Sequence, residues 1–390
     1  MKKDMRFATV ALMLGVSCSL FVAAQEPQLQ CTNYIIITAD HGLVVSELNA
    51  DEPRAPASMV KMILMLLVTE GVEKGLWNWD TEIAVTKDAQ AIGGTQVFLK
   101  AGESWPLEAL MKGIAVASAN DAASAVAEGL WGSRDEYLKA ANERARELGM
   151  LDTQVNTPHG LPPEQGQESD MTTARDMSII ARACVAKPKI MEWVAMKELR
   201  FRPGDEVKTN TNKLLEIMPE CDGLKTGYTR AAGFCLTATA VRNDVRLIVV
   251  VMGCPKLSDR FVTAQALLEQ GFAGTRRELI LAKGDLLAPP LPVRNAKTDS
   301  VQLQVTGDLW VTARQSDFDV LEYVPHYPSA LHAPMNAGDE VGTLSVALEG
   351  QELGEIPVIL PSNLEVPGWR WKLTHSVMTR LKGQTANVGG

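Results

Sequence analysis

Two side chains in the stretch ASMVKMILML, residues 57 to 66, are out of keeping with a buried helix: Ser58 near its start and Lys61 three residues on, among methionine, isoleucine and leucine. A helix returns to the same face after three or four residues. The Ser58 hydroxyl and the Lys61 amine therefore meet at one spot near the helix N-terminus, where partial positive charge favours an anion. A serine hydroxyl is a weak nucleophile until a base takes its proton. An amine whose pKa is lowered by apolar surroundings and a second cation is neutral often enough to be that base. The pair thus specifies an activated serine that forms a covalent intermediate. A serine and a lysine at this spacing also occur by chance in a chain of this length, so the chemistry needs further elements. Two are present. Ser118-Ala119-Asn120 sits in the small-residue stretch AVASANDAA, the composition of a tight interhelical turn, and Lys225-Thr226-Gly227 follows CDG in an apparent strand.

The elements that must position these residues follow from periodicity. From Asn33 to about Phe272 the chain alternates short apolar strands with helical stretches, the pattern of a mixed α/β domain. YIIIT (Tyr34 to Thr38) predicts a strand and Ser58 to Val72 a helix. Helical periodicity recurs over 107–130 and 134–149, and 172–185 opens with threonine cap candidates and carries Asp176 in its first turns, a helix-start structural residue. Residues 233–254 predict two strands around the turn Arg242-Asn243-Asp244, with a closing helix over 259–270 that begins at Arg260. The sheet is then fed from both ends of the domain. Past Phe272 the proline-rich LLAPPLPVRN leads to short β-rich runs at 301–305 and 344–347, a small all-β domain. The divisions expected are a catalytic domain over 25–275, the β domain over 276–362 and a basic tail over 363–390.

Lys2, Lys3 and Arg6 precede an apolar run from Phe7 to Ala24, with small residues before Gln25, so residues 1–24 are expected to be a signal peptide and the globular part to be exported. Its removal leaves a net charge of −11, which argues against nucleic acid as a partner. Cys31, Cys184, Cys221, Cys235 and Cys254 then remain, an odd number whose pairing the sequence leaves open. No CxxC or Cys/His cluster occurs and the histidines have no ligand spacing, so neither a metal site nor a cofactor is expected. At helical spacing Trp369, Leu373, Val377 and Leu381 lie along one side of the tail, with Lys372, His375, Thr379 and Lys382 opposite. Residues 366–390 carry +4 against −15 for the rest of the mature chain, so anionic lipid should attract the tail and repel the body.

The order serine-x-x-lysine, serine-x-asparagine, lysine-threonine-glycine is that of penicillin-binding proteins and class A β-lactamases. PASMVKMI, LKAGESWPLEALMKGIAVASANDAA, HGLPPEQGQESDMTTARDM, TNTNKLL and DGLKTGYTRAAGF resemble successive blocks of the low-molecular-mass D-alanyl-D-alanine carboxypeptidases, and LHAPMNAGDEVGTL resembles the β domain that follows them. The likeness spans nearly the whole mature chain. It departs at Ala119, where glycine is frequent, and in GLPPEQGQESDM, which is longer than the usual loop. The resemblance implies a penicillin-binding-protein/β-lactamase-like catalytic domain. In it Ser58 attacks the penultimate D-alanine carbonyl of a peptidoglycan stem peptide, Lys61 takes and returns the proton, and Ser118 with Lys225 relays a proton to the leaving D-alanine. Asn120 would hold the substrate amide and position Lys61. The backbone amides of Ser58 and Tyr228 would form an oxyanion hole, Lys225, Thr226 and Arg260 would face the terminal carboxylate, and Gly227 would also contact the substrate. It also implies β-lactams as covalent inhibitors and a periplasmic enzyme held peripherally on the outer face of the cytoplasmic membrane by residues 366–390. Endopeptidase action on cross-links and a non-catalytic peptidoglycan-binding scaffold are the alternatives. A β-lactamase is a third, against which stands the lack of a Glu-x-x-x-Asn pattern at Glu164 or Glu168. His159 has no partner in the sequence and is expected to be a loop residue.

Overall fold

The computed structural model describes residues 29–163, 166–369 and 371. The expected signal peptide, Glu164 and nearly all of the expected membrane-binding tail lie outside them, and no described helix is long and apolar enough to cross a membrane.

The chain opens with strands β1 (Asn33–Thr38) and β2 (Val44–Leu48). It continues through helices α1 (Lys61–Glu73), α2 (Leu107–Ala117), α3 (Asn120–Trp131), α4 (Arg134–Glu147) and α5 (Ala174–Val185). Strands β3 (Cys221–Thr229), β4 (Gly233–Arg242) and β5 (Val245–Cys254) follow, then helix α6 (Asp259–Gly274). The five strands pair antiparallel in the order β2-β1-β5-β4-β3, so the sheet is fed from both ends of the domain, as expected, with the first strand beside the last. Helices cover both faces. Ile35 and Ile37 enter the core built by α1 to α5, whereas Ile36 enters the one closed by α6. That double burial explains three consecutive isoleucines where a half-exposed strand would alternate. Asn243 (φ 51°) and Asp244 (φ 62°) form the left-handed pair that a two-residue hairpin between β4 and β5 requires.

Two helical expectations are refined. Ser58 is not in an α-helix: Ala57–Val60 form a 3-10 turn, entered through Ala57 at φ 49°, and α1 begins only at Lys61. In a 3-10 turn side chains three apart eclipse, which aligns Ser58 and Lys61 more directly than α-helical geometry does. The periodicity over 107–130 is divided at Ser118, whose left-handed φ of 57° ends α2 and turns the chain into α3. In α5, Thr173 caps the amide of Asp176, and the Asp176 carboxylate accepts bonds from the Asp152 amide and the Thr153 hydroxyl, a structural role.

From Thr275 to Gly368 the chain contains strands and a single 3-10 turn, Gln315–Val320. Gln304–Val305, Gln351–Ile359, Glu340–Leu348 and Glu322–His326 make a four-stranded sheet in that order, packed on a core that includes Val311, Leu344, Val346 and Val358. Leu43 from the β1–β2 connection joins this core, and Gln351 Nε2 donates to the His41 carbonyl at 2.6 Å, so the two domains meet at that connection.

Candidate active site

Helix α1 is apolar all round: Met62, Ile63, Leu64, Met65 and Leu66 are each at most 1% exposed, which makes it the central helix of its core. An amine at its first residue is therefore cut off from water, and Lys61 is 0% exposed. Its Nζ lies 2.9 Å from Ser58 Oγ, 2.7 Å from Asn120 Oδ1 and 2.7 Å from the His159 carbonyl. Burial drives the Lys61 pKa well below that of an ordinary lysine, and the Lys225 charge depresses it further. A neutral amine has two N–H groups and one lone pair. The Asn120 and His159 oxygens are pure acceptors and take both N–H groups, so the lone pair faces the Ser58 hydroxyl.

A second buried pair stands opposite. Lys225 Nζ donates to Ser118 Oγ at 2.9 Å and to the Thr226 carbonyl at 3.0 Å. Burial, then the positive charge of Arg260, lower the Lys225 pKa to about 7, so at neutral pH it exchanges a proton readily. The left-handed turn at Ser118 aims this hydroxyl at β3, while α3 begins two residues later and presents Asn120 to Lys61. Asn120 Nδ2 is held by the Gly93 carbonyl at 2.8 Å, which fixes Oδ1 toward the lysine. One short turn thus serves both lysines.

Gly227 explains how β3 reaches the nucleophile. A Cβ there would lie 2.6 Å from the Pro56 carbonyl oxygen and 3.1 Å from Ala57 Cβ, so only glycine lets the strand lie against the turn that carries Ser58. Tyr228 follows on the same strand, stacked on Phe234 with ring centroids 4.1 Å apart. Gly227→Ala must push β3 and the Ser58 turn apart, and a displacement of that kind costs about 10²-fold in reactivity. We expect acylation of the variant by a fluorescent penicillin to slow by about that factor. An unchanged rate would mean the strand is not needed at that spacing.

Thr226 Oγ1 donates to Thr211 Oγ1 at 2.8 Å. Arg260, at the start of α6 and 5% exposed, donates from Nη1 to the carbonyls of Gly227 at 3.1 Å and Cys235 at 3.3 Å. Its guanidinium lies over Phe261 and Phe234, and burial lowers its pKa to about 10. All nine residues singled out in the sequence, from Ser58 to Arg260, lie on the α1 end, the α2–α3 turn, β3 and the α6 start that meet here.

The sequence reading missed His159, whose role is carried by its backbone. The carbonyl accepts from Lys61 and lies 3.3 Å from Ser58 Oγ, while burial keeps the ring neutral, with a pKa of about 3. Asp170 shapes this loop. It accepts the Asn156 and Thr157 amides at 2.6 and 2.8 Å and the Thr157 hydroxyl at 2.6 Å; Thr157 Oγ1 in turn accepts the Gly160 amide at 2.7 Å. Gly160, with φ 82°, passes so close to Ala57 that a Cβ would lie 2.1 Å from its carbonyl oxygen. Glu168 lines a small surface cavity with Arg134, Asp135 and Asn156.

A family model described as D-alanyl-D-alanine carboxypeptidase matches residues 21–256, and one described as the C-terminal domain of penicillin-binding protein 5 matches residues 277–366. D-alanyl-D-alanine carboxypeptidase DacF of Bacillus subtilis is 31% identical over 339 residues, 86% of each chain. DacA of Escherichia coli is 32% identical over 343 residues, 86% of this chain and 83% of its own. Among solved structures, penicillin-binding protein 5 of Haemophilus influenzae superimposes with a TM-score of 0.70 at 26% identity over 87% of this chain and 99% of that one. Penicillin-binding protein D2 of Listeria monocytogenes, in its ampicillin-bound form, gives a TM-score of 0.57 at 27% identity over 63% of this chain and 98% of that one. A serine bonded to a buried lysine, a second, buried serine–lysine pair facing it and these likenesses along nearly the whole described chain agree: the chain belongs to the D-alanyl-D-alanine carboxypeptidase family of serine peptidases.

Proposed function

We propose that this protein is a serine D-alanyl-D-alanine carboxypeptidase that removes the terminal D-alanine from peptidoglycan pentapeptide stems through an acyl-enzyme on Ser58. The observation that carries the reading is the bonding of Lys61: two carbonyl oxygens occupy its N–H groups and leave its lone pair for the Ser58 proton. Ser58 Oγ attacks the carbonyl between the two D-alanines as its proton passes to Lys61. The oxyanion is met by the backbone amides of Ser58 and Tyr228, a contribution on the order of 10²–10³ in rate per donor. Ser118 gives a proton to the departing D-alanine nitrogen and recovers one from Lys225. Water then releases the shortened stem, with Lys61 again as base. β-Lactams acylate the same serine and act as covalent inhibitors. Incubating the protein with a stem ending in D-Ala-D-Ala and, separately, with a cross-linked dimer tests the assignment: free D-alanine from the stem supports it. Cleavage of the dimer alone would make the protein an endopeptidase, and no cleavage of either would leave it a scaffold.

Lys225, Thr226 and Arg260 bind the terminal carboxylate. Arg260, held by its Nη1 bond to the Gly227 carbonyl, supplies positive charge beside Lys225 and Thr226. Arg260→Ala is expected to cost about 1.5–3 kcal/mol in kcat/KM on substrates with a free carboxylate and little on their amides. Equal losses on both would mean that the arginine only braces β3 and β4.

Residues 1–24 export the chain, and residues 366–390 hold it on the outer face of the cytoplasmic membrane as an interfacial helix. Supporting this are the tryptophan-bearing apolar side of the tail and its +4 charge against the acidic body. Deleting residues 366–390 should abolish co-sedimentation of the signal-cleaved protein with anionic vesicles. Unchanged binding would end the idea.

A further inference from the structure

The first described residues run along the end of β5. The Thr32 amide donates to the Met252 carbonyl at 3.1 Å, and Asn33 pairs with Met252 in the antiparallel register of β1 and β5. Extending that register outward sets Cys31 directly opposite Cys254. Gly253 brings the two side chains to one face. Its φ of 72° breaks the alternation of β5, and the register against β4 slips at the same place. Met252 and Val250 face the core of α1 to α5, yet Cys254 turns into the opposite cluster, where Cys31, Ile36 and Phe261 also lie. A Cβ on residue 253 would sit 2.1 Å from Thr32 Oγ1, so glycine is also what allows the two segments to close. Cys31 and Cys254 are close enough that each shifts the other's pKa. Residues directly opposite in an antiparallel pair have Cα atoms about 4.5–5.5 Å apart, inside the window of about 4.4–6.8 Å that a disulfide spans.

We propose that Cys31 and Cys254 form a disulfide that ties the start of the mature chain to the end of β5. Cys31 is the half-buried, accessible sulfur and Cys254 the buried one. The interaction with Cys254 lowers the Cys31 pKa, and the same interaction with burial raises that of Cys254, so the less buried Cys31 reacts first. The Cys31 thiolate attacks a disulfide reagent such as oxidised glutathione, displacing one thiolate and leaving a mixed disulfide. Cys254 then gives up its proton and displaces the second thiolate from the Cys31 sulfur. Two protein thiols become one S–S bond, and the two electrons reduce the reagent to two thiols. The ring so closed encloses nearly all of the catalytic domain. It also braces the turn from Cys254 to α6, which carries Arg260. Cys235 is the third sulfur nearby, while Cys184 and Cys221 are buried elsewhere. In the cell the bond needs the oxidising compartment that export supplies. The bond-forming capacity itself is a property of the folded chain.

The full chain, reduced, desalted and incubated with oxidised glutathione, is denatured in an alkylating agent and digested without reductant. Mass spectrometry should find the Cys31 and Cys254 peptides joined and the other cysteines alkylated. The oxidised protein should melt about 5–10 °C above the reduced one, a difference lost in Cys31→Ser. Alkylation or glutathionylation of both Cys31 and Cys254, or Cys235 joined to either, overturns the proposal. Cys31→Ser should retain D-alanine release at 25 °C, so the disulfide and the carboxypeptidase assignment are tested separately.

Discussion

Ser58→Ala should release no measurable D-alanine and take no label from a fluorescent penicillin, a loss on the order of 10⁴–10⁶-fold, because no other group can carry the acyl chain. Among the described residues Ser118 is the nearest competitor, but its hydroxyl is bonded to Lys225 and not to Lys61, so it is served by the proton-returning pair rather than by the base. The fold should be untouched. Removing one hydroxyl from the 3-10 turn leaves the Lys61 bonds to Asn120 and His159 in place. Gel labelling at saturating penicillin, with a melting curve as control, checks this: a labelled, folded Ser58→Ala protein would transfer the nucleophile's role elsewhere.

Lys61→Met should slow acylation about 10²–10⁴-fold, the usual worth of a general base, while the protein becomes no less stable. The sign of the second effect follows from the pKa. Lys61 is an ordinary lysine when unfolded and strongly depressed when folded, so at neutral pH the unfolded state binds the extra proton and burial of the amine destabilises the fold. That cost is fully present below the folded-state pKa. It shrinks as pH rises toward the unfolded value, where both states are neutral. A melting-temperature advantage of Lys61→Met over wild type should therefore be larger at pH 6 than at pH 9. In wild type the same depression places an acid limb on kcat/KM: the rate falls as pH drops through the Lys61 pKa and the base is lost. If Lys61→Met acylates at the wild-type rate, or keeps that acid limb, the base is another group.

The case of Lys61 also separates two kinds of information. The sequence alone determined that a serine and a lysine share a helix start among apolar residues, that a serine-x-asparagine turn and a lysine-threonine-glycine strand accompany them, and that a mixed α/β domain precedes a β domain. These features are local, fixed by side-chain spacing along one element or by composition over one segment. The last two strands of the sheet were legible for the same reason, since 233–254 carries its own hairpin turn, whereas the burial of the three isoleucines on both faces emerged only from the packing.

What only the tertiary structure decided are contacts between residues far apart in the chain, and contacts made by backbone. The His159 carbonyl completes the Lys61 site, but a carbonyl is common to every residue and leaves no mark in a sequence; only the burial of Thr157 and Asp170 behind it fixes where it points. The 3-10 start of α1 was hidden because apolar spacing does not distinguish it from an α-helix, and it is set by Gly160 and Gly227 pressing on Ala57 from two sides. Arg260 could be placed at a helix start, but not that its guanidinium turns inward to two carbonyls. The cysteines could be counted and not paired, because Cys31 and Cys254 become neighbours only when the first strand docks against the last and Gly253 reverses the face of β5. Local sequence carries spacing and polarity, whereas register, backbone acceptors and the loss of water around a charge exist only once distant segments have packed.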